Sequence, residues 1–507
     1  MAGRFSGDHV SVEKSQIALS LISHTNIGKT TLARTLLRKD VGLVADRAHV
    51  TLENQKYTVL ETEMGESLQL WDTPGFPNCQ KILSRVQGTK HPIVRILTEI
   101  WDRFRDRPSW CAQQAVLNVQ QEADVVLYLV NATEEPTMAG YIAPELQLLE
   151  WIGKPVIVLL NQTGPPKDRH ELQRLEQPWK DYFARYDFVR GVYSLDAFSH
   201  CWVQEGILFE AIQTLLPPKD RPLMNRLFSA WQRAHLTLFH ASMKQWAMLV
   251  VRAASARGMT KGDGSPMDVQ KQQAVDVLLR ELVNEVGATT KAVIVLHGLE
   301  GDAIGVIQAR MEHVEVQRGA QGLDETTLSG TAIGGIGGAL TSGAYAGLHL
   351  DAATGGVSMG LFTVAGAVVG GVLGFLGGEA WAERKVTHTQ NPVTWSDDYL
   401  DLLVQDVIIR YLAIAHFGRG QGQYVMDPEN PRFWVEKVKA SVSKHRSTLH
   451  QHWTDLRGQG SPPQTEQHVK PLTALLTSIT LELLWNAYPS AKRFLEWPDA
   501  PSRLTGF

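Results

Sequence analysis

Lys29 and Thr30 are the residues with the most chemistry to offer. They stand in Ser23-His24-Thr25-Asn26-Ile27-Gly28-Lys29-Thr30-Thr31, between the apolar run Gln16 to Ile22 and the helix formers Leu32-Ala33-Arg34-Thr35-Leu36-Leu37. A strand, a tight loop and Gly-Lys-Thr at a helix start is the context a phosphate-binding loop requires. The loop's backbone N–H groups and the positive helix end would surround phosphate oxygens. Lys29 would neutralise β/γ-phosphate charge, and the Thr30 hydroxyl would ligate Mg²⁺. Ser23 replaces the glycine that usually opens this pattern. A second motif follows: Leu68-Gln69-Leu70-Trp71 is a strand ending in Asp72-Thr73-Pro74-Gly75. Asp72 is placed to hold Mg²⁺ through water and the Gly75 amide to sense a γ-phosphate. Between the motifs, Thr51 lies in the polar stretch Asp46 to Asn54, placed to close on Mg²⁺ and γ-phosphate, with Thr58 as a second candidate. Separately these are a turn and a solvated loop; in this order and spacing they point to a nucleotide site.

The elements that must position these residues alternate strand and helix. Gln16 to Ser23, Ser67 to Trp71, Val125 to Val130, Val156 to Leu160 and Gly191 to Ser194 are short β-rich runs with helical segments between them. That alternation implies a mostly parallel α/β sheet with helices on both faces, because parallel strands need crossover connections. The stretch from Gly75 to Val125 is long and contains Trp101-Asp102-Arg103-Phe104-Arg105-Asp106-Arg107-Pro108-Ser109-Trp110, read as a packing insertion attached to the second motif. Pro217, Pro218 and Pro222 then break the pattern. Beyond them the text turns helical, with a packing stripe at Val275, Leu278, Leu279, Leu282 and Val283 and a capped helix start at Ser396.

Asn26-Ile27-Gly28-Lys29-Thr30, Thr51 and Asp72-Thr73-Pro74-Gly75 resemble the Era/TrmE-type P-loop GTPases, over roughly residues 15 to 215. The resemblance implies GTP or GDP with Mg²⁺ on Thr30, Thr51 and Asp72, and Lys29, Thr51 and Gly75 as the catalytic set. Asn161-Gln162-Thr163-Gly164 occupies the position of that family's Asn-Lys-x-Asp base-reading motif, and Ser194-Leu195-Asp196 resembles its Ser-Ala-Lys loop. Asn161, Gln162, Ser194 and Leu195 are thereby expected beside the base, with Asn26, Ile27, Gly28 and Thr31 around the phosphates. Gly164 departs from the pattern, because it has no carboxylate to accept from the guanine ring N–H and exocyclic amine; Asp168 and Asp196 are the nearest replacements by sequence. Phe76 follows Gly75 where a glutamine could have oriented water, which implies slow or assisted hydrolysis. In relatives with an asparagine at the position of Asn26, that side chain helps bind K⁺, so K⁺ on Asn26 is implied too. The whole chain is also similar to a group of bacterial proteins that join such a G domain to a glycine-rich C-terminal region.

That glycine-rich region is the second informative place. Gly330, Gly334 and Gly338 recur every four residues, as do Gly366, Gly370, Gly374 and Gly378. On a helix this spacing forms one face that permits close helix–helix approach, whereas in water each glycine costs about 1 kcal/mol relative to alanine. The segment is therefore expected to form a glycine-zipper hairpin that enters a membrane, or that is buried in protein, with Arg310, Arg318, Arg384 and Lys385 flanking it. The expected organisation is a P-loop G domain over 1–218, a helical region over 223–325, the hairpin over 326–382 and a C-terminal helical region over 383–507. The 507 residues, with 49 Lys+Arg against 53 Asp+Glu and a net charge of -4, do not suggest a broad grip on nucleic acid. Three scattered cysteines, Cys79, Cys111 and Cys201, argue against a disulfide framework or Cys-rich zinc site, and the charged start, Met1 to Lys14, against a signal peptide. The expectation is thus a slow GTP-hydrolysing switch at the cytoplasmic side of the inner membrane, with a membrane or membrane-protein partner and self-association left open. The alternatives are a nucleotide-binding membrane scaffold with little turnover and a ribosome or RNA assembly GTPase.

Overall fold

The computed structural model describes residues 14–38, 54–75, 79–86, 107–164, 167–258, 267–299, 393–418, 429–458 and 465–495, with a few positions between 88 and 96. Thr51, Phe76, residues 101–106 of the insertion, the segment 326–382 and its flanking Arg310, Arg318, Arg384 and Lys385 lie outside the described residues.

The described strands are β1 (Gln16–Ser23), β2 (Gln55–Glu61), β3 (Ser67–Asp72), β4 (Val125–Asn131), β5 (Val156–Asn161) and β6 (Val189–Ser194). They form one sheet in the order β2-β3-β1-β4-β5-β6. β1 pairs in parallel with β3 and β4, and β4, β5 and β6 continue the parallel run. The five expected parallel strands are all present. β2 was not expected: it pairs antiparallel with β3 at the sheet edge, where half-exposed residues give little apolar signal. Thr58 lies within it, donating its hydroxyl to Gln69 Oε1 at 3.2 Å.

Successive side chains of a strand point to opposite faces, and β4 feeds two cores in this way. Val125, Leu127 and Leu129 join one cluster, and Val126, Tyr128 and Val130 the other. The second cluster is closed by the helices Arg107–Gln121, Ile142–Ile152 and Arg169–Phe183. The first runs without a break from Ile17 and Leu19 into the helical region, through Trp231 and Trp246 of the Arg221–Ser255 helix to Trp453 and Leu495. The Arg221–Ser255 helix starts at Asp220 with Pro222 in its first turn, where a missing N–H costs nothing, and packs along the Thr465–Ala487 helix. Leu278 and Leu282 of the expected stripe are in this core, and Ser396 caps the Asp397–Ala415 helix by accepting from Tyr399 N. His450 Nε2, in the helix Arg446–Gly458, contacts Asp401 Oδ2 at 2.9 Å.

The sheet positions the chemistry by register. Leu21 of β1 stands opposite Asp72 of β3, so the loops after both strands emerge at the same edge. β1 is also where the chain order reverses, with β3 on one side and β4 on the other. In open α/β sheets ligands bind at the carboxyl ends of the strands beside such a reversal.

Candidate functional site

Between Ser23, the last residue of β1, and Lys29, the first of the helix Lys29–Leu37, the chain must turn back tightly. It does so with Asn26 at φ 65° and Gly28 at φ 99°. Asparagine tolerates the left-handed region because its short polar side chain bonds locally. At Gly28 space decides as well: a Cβ would lie 2.7 Å from Asn161 Nδ2. Asn26 is exposed, while Ile27 and Thr31 are buried.

Lys29 is buried and donates to Ser23 Oγ at 3.1 Å. Burial pushes its ammonium pKa down, against the opposing pull of Asp72 and Glu145. A desolvated cation whose hydrogen-bond partner is a neutral hydroxyl is well matched to anionic oxygens. Thr30 donates its hydroxyl to Asp72 Oδ2 at 2.6 Å. Asp72 is only 1% exposed, and burial raises its pKa despite Lys29 and Thr30. Its other oxygen, Oδ1, is buried with no hydrogen-bond partner among the described residues. A hydroxyl against a half-satisfied carboxylate is a hard oxygen donor set, which fits Mg²⁺. Thr73 fixes the turn after β3 by donating its hydroxyl to Leu21 O at 2.6 Å. A Cβ on Gly75 would lie 3.2 Å from Lys29 Nζ and 3.1 Å from Thr25 Cγ2. The second motif therefore lies close against the phosphate loop, where a side chain at position 75 would be tight.

Sequence reasoning missed a group that supports this loop. His24 Nδ1 is 3.0 Å from Glu145 Oε1, and its ring stacks on Tyr141 at 4.7 Å. Tyr128 donates its hydroxyl to Glu145 Oε2 at 2.7 Å. Glu145 has no exposed surface, and burial raises its pKa against the hydrogen bonds from His24 and Tyr128. Of the two glutamates in the apolar helix Ile142–Ile152, Glu145 is the one turned into the core, and its partner lies 121 residues away.

Asn161 ends β5 with its side chain buried. Its Nδ2 donates to Ile27 O at 2.7 Å and its Oδ1 accepts from Ala197 N at 2.8 Å. One amide thus ties the phosphate loop to the loop after β6. Gln162 and Gly164 follow at φ 59° and 76°, so position 164 serves the turn as glycine. Ser194 and Leu195, expected beside the base, point elsewhere: Ser194 Oγ donates to Glu176 Oε1 and Leu195 is buried in the first core. The reason is register. Leu195 N still donates to Leu160 O, continuing the β5–β6 pairing, so the loop proper begins at Asp196. Asp196 is 2% exposed and its Oδ2 accepts from Gly164 N at 2.9 Å and from the Thr163 hydroxyl at 3.2 Å. Asp168 is spent on capping the Arg169–Phe183 helix, accepting from His170 N and Glu171 N.

Residues 19–162 match the family model described as 50S ribosome-binding GTPase, and residues 183–475 match a domain of unknown function, DUF3482. GTPase Era of Heliobacterium modesticaldum is 26% identical over 159 residues, covering 31% of this chain and 44% of the relative. GTPase Der of Deinococcus deserti is 27% identical over 251 residues, covering 48% of this chain and 49% of the relative. The chain thus spans less than half the length of either. Among solved structures, Era in complex with MgGDPNP and a segment of 16S ribosomal RNA has a TM-score of 0.29 at 18% identity, covering 50% of this chain and 75% of that one. An Aquifex aeolicus Era variant bound to GDP and AlF4⁻ has a TM-score of 0.29 at 16% identity, covering 54% and 89%.

Proposed function

We propose that this chain, which belongs to the DUF3482 family and carries an Era-like P-loop GTPase domain, is a slowly hydrolysing GTP switch whose nucleotide state is passed to its helical C-terminal region. The observation that carries the proposal is the cluster of Lys29, Thr30, Asp72 and Gly75 where β1 and β3 end side by side. Lys29 would take the β/γ-phosphate charge on its ammonium, and the amides of Asn26 to Thr31 would cradle the phosphate oxygens. Thr30 and Asp72, with Thr51, would hold Mg²⁺, which would supply positive charge against the phosphates. The Gly75 amide would register the γ-phosphate. Asn161 would keep the base side of the hollow in place through Ile27 and Ala197. With Phe76 unable to orient water, turnover would be slow, and K⁺ near Asn26 would add positive charge where the transition state gains negative charge. Equal turnover in K⁺ and Na⁺, unchanged in Asn26→Ala, would remove the K⁺ part.

Calorimetric titration with GTP, ATP and XTP, with Mg²⁺ and with chelator, tests the main reading. Mg²⁺-dependent uptake of GTP is expected, weakened at least about a hundredfold in Lys29→Ala, as loss of a desolvated charge-assisted contact predicts. Absence of GTP uptake by the unaltered chain would sink it.

The glycine spacing over 326–382 supports a membrane or membrane-protein partner for the C-terminal region. No helix among the described residues is long and apolar enough to cross a membrane, so that support is from sequence. The description of the matched GTPase model favours a second reading, a ribosome or RNA assembly factor. Net charge does not report on local surfaces, and nucleic acid stands as a partner class under this reading. Co-sedimentation with ribosomes against flotation with liposomes separates the two.

A further inference from the structure

We infer that His416 to Gly418, in the C-terminal helical region, are positioning residues for the base side of the nucleotide site. The inference rests on the GTP-binding reading above and adds a part of the chain that lies outside the GTPase domain.

The loop after β6 is held from three sides. Ala197 N donates to Asn161 Oδ1 at 2.8 Å, and Thr35, in the helix that starts at Lys29, donates its hydroxyl to Ala197 O at 2.9 Å. The third side comes from beyond the Asp397–Ala415 helix. Gly418 N donates to Phe198 O and His200 N to His416 O, both at 3.1 Å, and Ser199 and Phe417 form an antiparallel bridge. Phe198 N in turn donates to Asp196 Oδ1 at 2.8 Å, while Asp196 Oδ2 accepts from Gly164 N and Thr163. Hydrogen bonds therefore lead without a gap from Gly418 to the Thr163–Gly164 turn.

The contact is close and unforgiving. A Cβ on Gly418 would lie 2.2 Å from Ala197 O and 2.7 Å from Phe198 C, both backbone atoms that cannot swing aside. Asp196 is buried, so any shift of Phe198 leaves a carboxylate oxygen short of a donor. Because residue 164 has no side chain to offer the base, discrimination falls to the shape of these loops, and that shape is set partly from Gly418. Reciprocity then makes nucleotide occupancy and the setting of the Asp397–Ala415 helix bias each other.

The test uses the full chain with Gly418→Val, titrated in Mg²⁺ with GTP and with inorganic tripolyphosphate, which has no base. GTP affinity is expected to fall about tenfold or more while tripolyphosphate affinity stays within about twofold. Unchanged GTP affinity, or equal loss for both ligands, overturns the inference. Should the valine variant fail to fold, hydrogen exchange on the unaltered chain decides: GTP is expected to slow exchange in peptides covering 196–200 and 416–418. No protection at 416–418 by bound GTP overturns the inference while leaving the GTP reading intact. An unaltered chain that takes up no GTP overturns both.

Discussion

Asp72 and Glu205 are both buried carboxylates, one in the sheet at the nucleotide loops and one where the sheet meets the helical region, yet their surroundings push them in opposite directions. Asp72 has a raised pKa, because burial outweighs Lys29 and Thr30, and one of its oxygens lacks a partner. Burial pushes Glu205 up too, but the hydrogen bond from His200 and the charge of Arg38 hold its carboxyl well below the usual range. His200 Nε2 is 2.8 Å from Oε1, and Trp231 Nε1 donates to Oε2 at 3.0 Å. Glu205 is satisfied from inside the protein and acts as a structural tie. Asp72, at the end of β3, has one oxygen for which the described residues supply no donor. Burial alone does not distinguish the two; the supply of donors does.

The largest effect expected from this contrast is on acid stability. His235, His297 and His416, on the helical side, are pushed down by burial to about 3, 3 and 4. Their folded pKa values lie below the ordinary imidazole value of 6.5. The sign is therefore that stability is complete above pH 6.5 and is lost as pH falls from there toward 3 to 4. Each histidine that stays neutral would cost up to about 1.4 kcal/mol per pH unit over that window. Thermal melts between pH 7.5 and 5 should show a steep fall, and a level Tm would contradict the burial of these rings.

Next in size is Glu205→Ala. It leaves His200 and Trp231 without their acceptor, at about 1–3 kcal/mol for each orphaned group, and urea unfolding should show a loss of several kcal/mol. Asp72→Asn should do the reverse on a smaller scale. Removing a half-satisfied buried charge should raise stability by about 1 kcal/mol while weakening Mg²⁺-dependent GTP binding about tenfold or more. If Asp72→Asn destabilises as Glu205→Ala does, the contrast between them is broken. The smallest effect is expected at Asp168. Since it caps an exposed helix end, Asp168→Ala should leave the ratio of GTP to ATP affinity unchanged in the same calorimetry.

Most of the sheet was legible because buried parallel strands read as short continuous apolar runs, such as Val125 to Val130 and Val156 to Leu160. β2 was not, since a half-exposed edge strand has no such run. Lys29, Thr30 and Asp72 were found by their local setting, each at the junction of a strand and a turn, and they meet. Ser194 and Leu195 were placed one step too early, because motif likeness does not state where the last strand pairing ends.

Local spacing was therefore enough to identify a phosphate loop, its partner motif and the α/β frame, because those depend on neighbours in the chain and on the periods of strand and helix. Which carboxylate braces the base-side turn, what steadies His24, and that Gly418 reaches the Ala197 loop could not be read that way. Each of those depends on groups far apart in sequence, and their meeting is determined by how the sheet and the helices pack around a shared core.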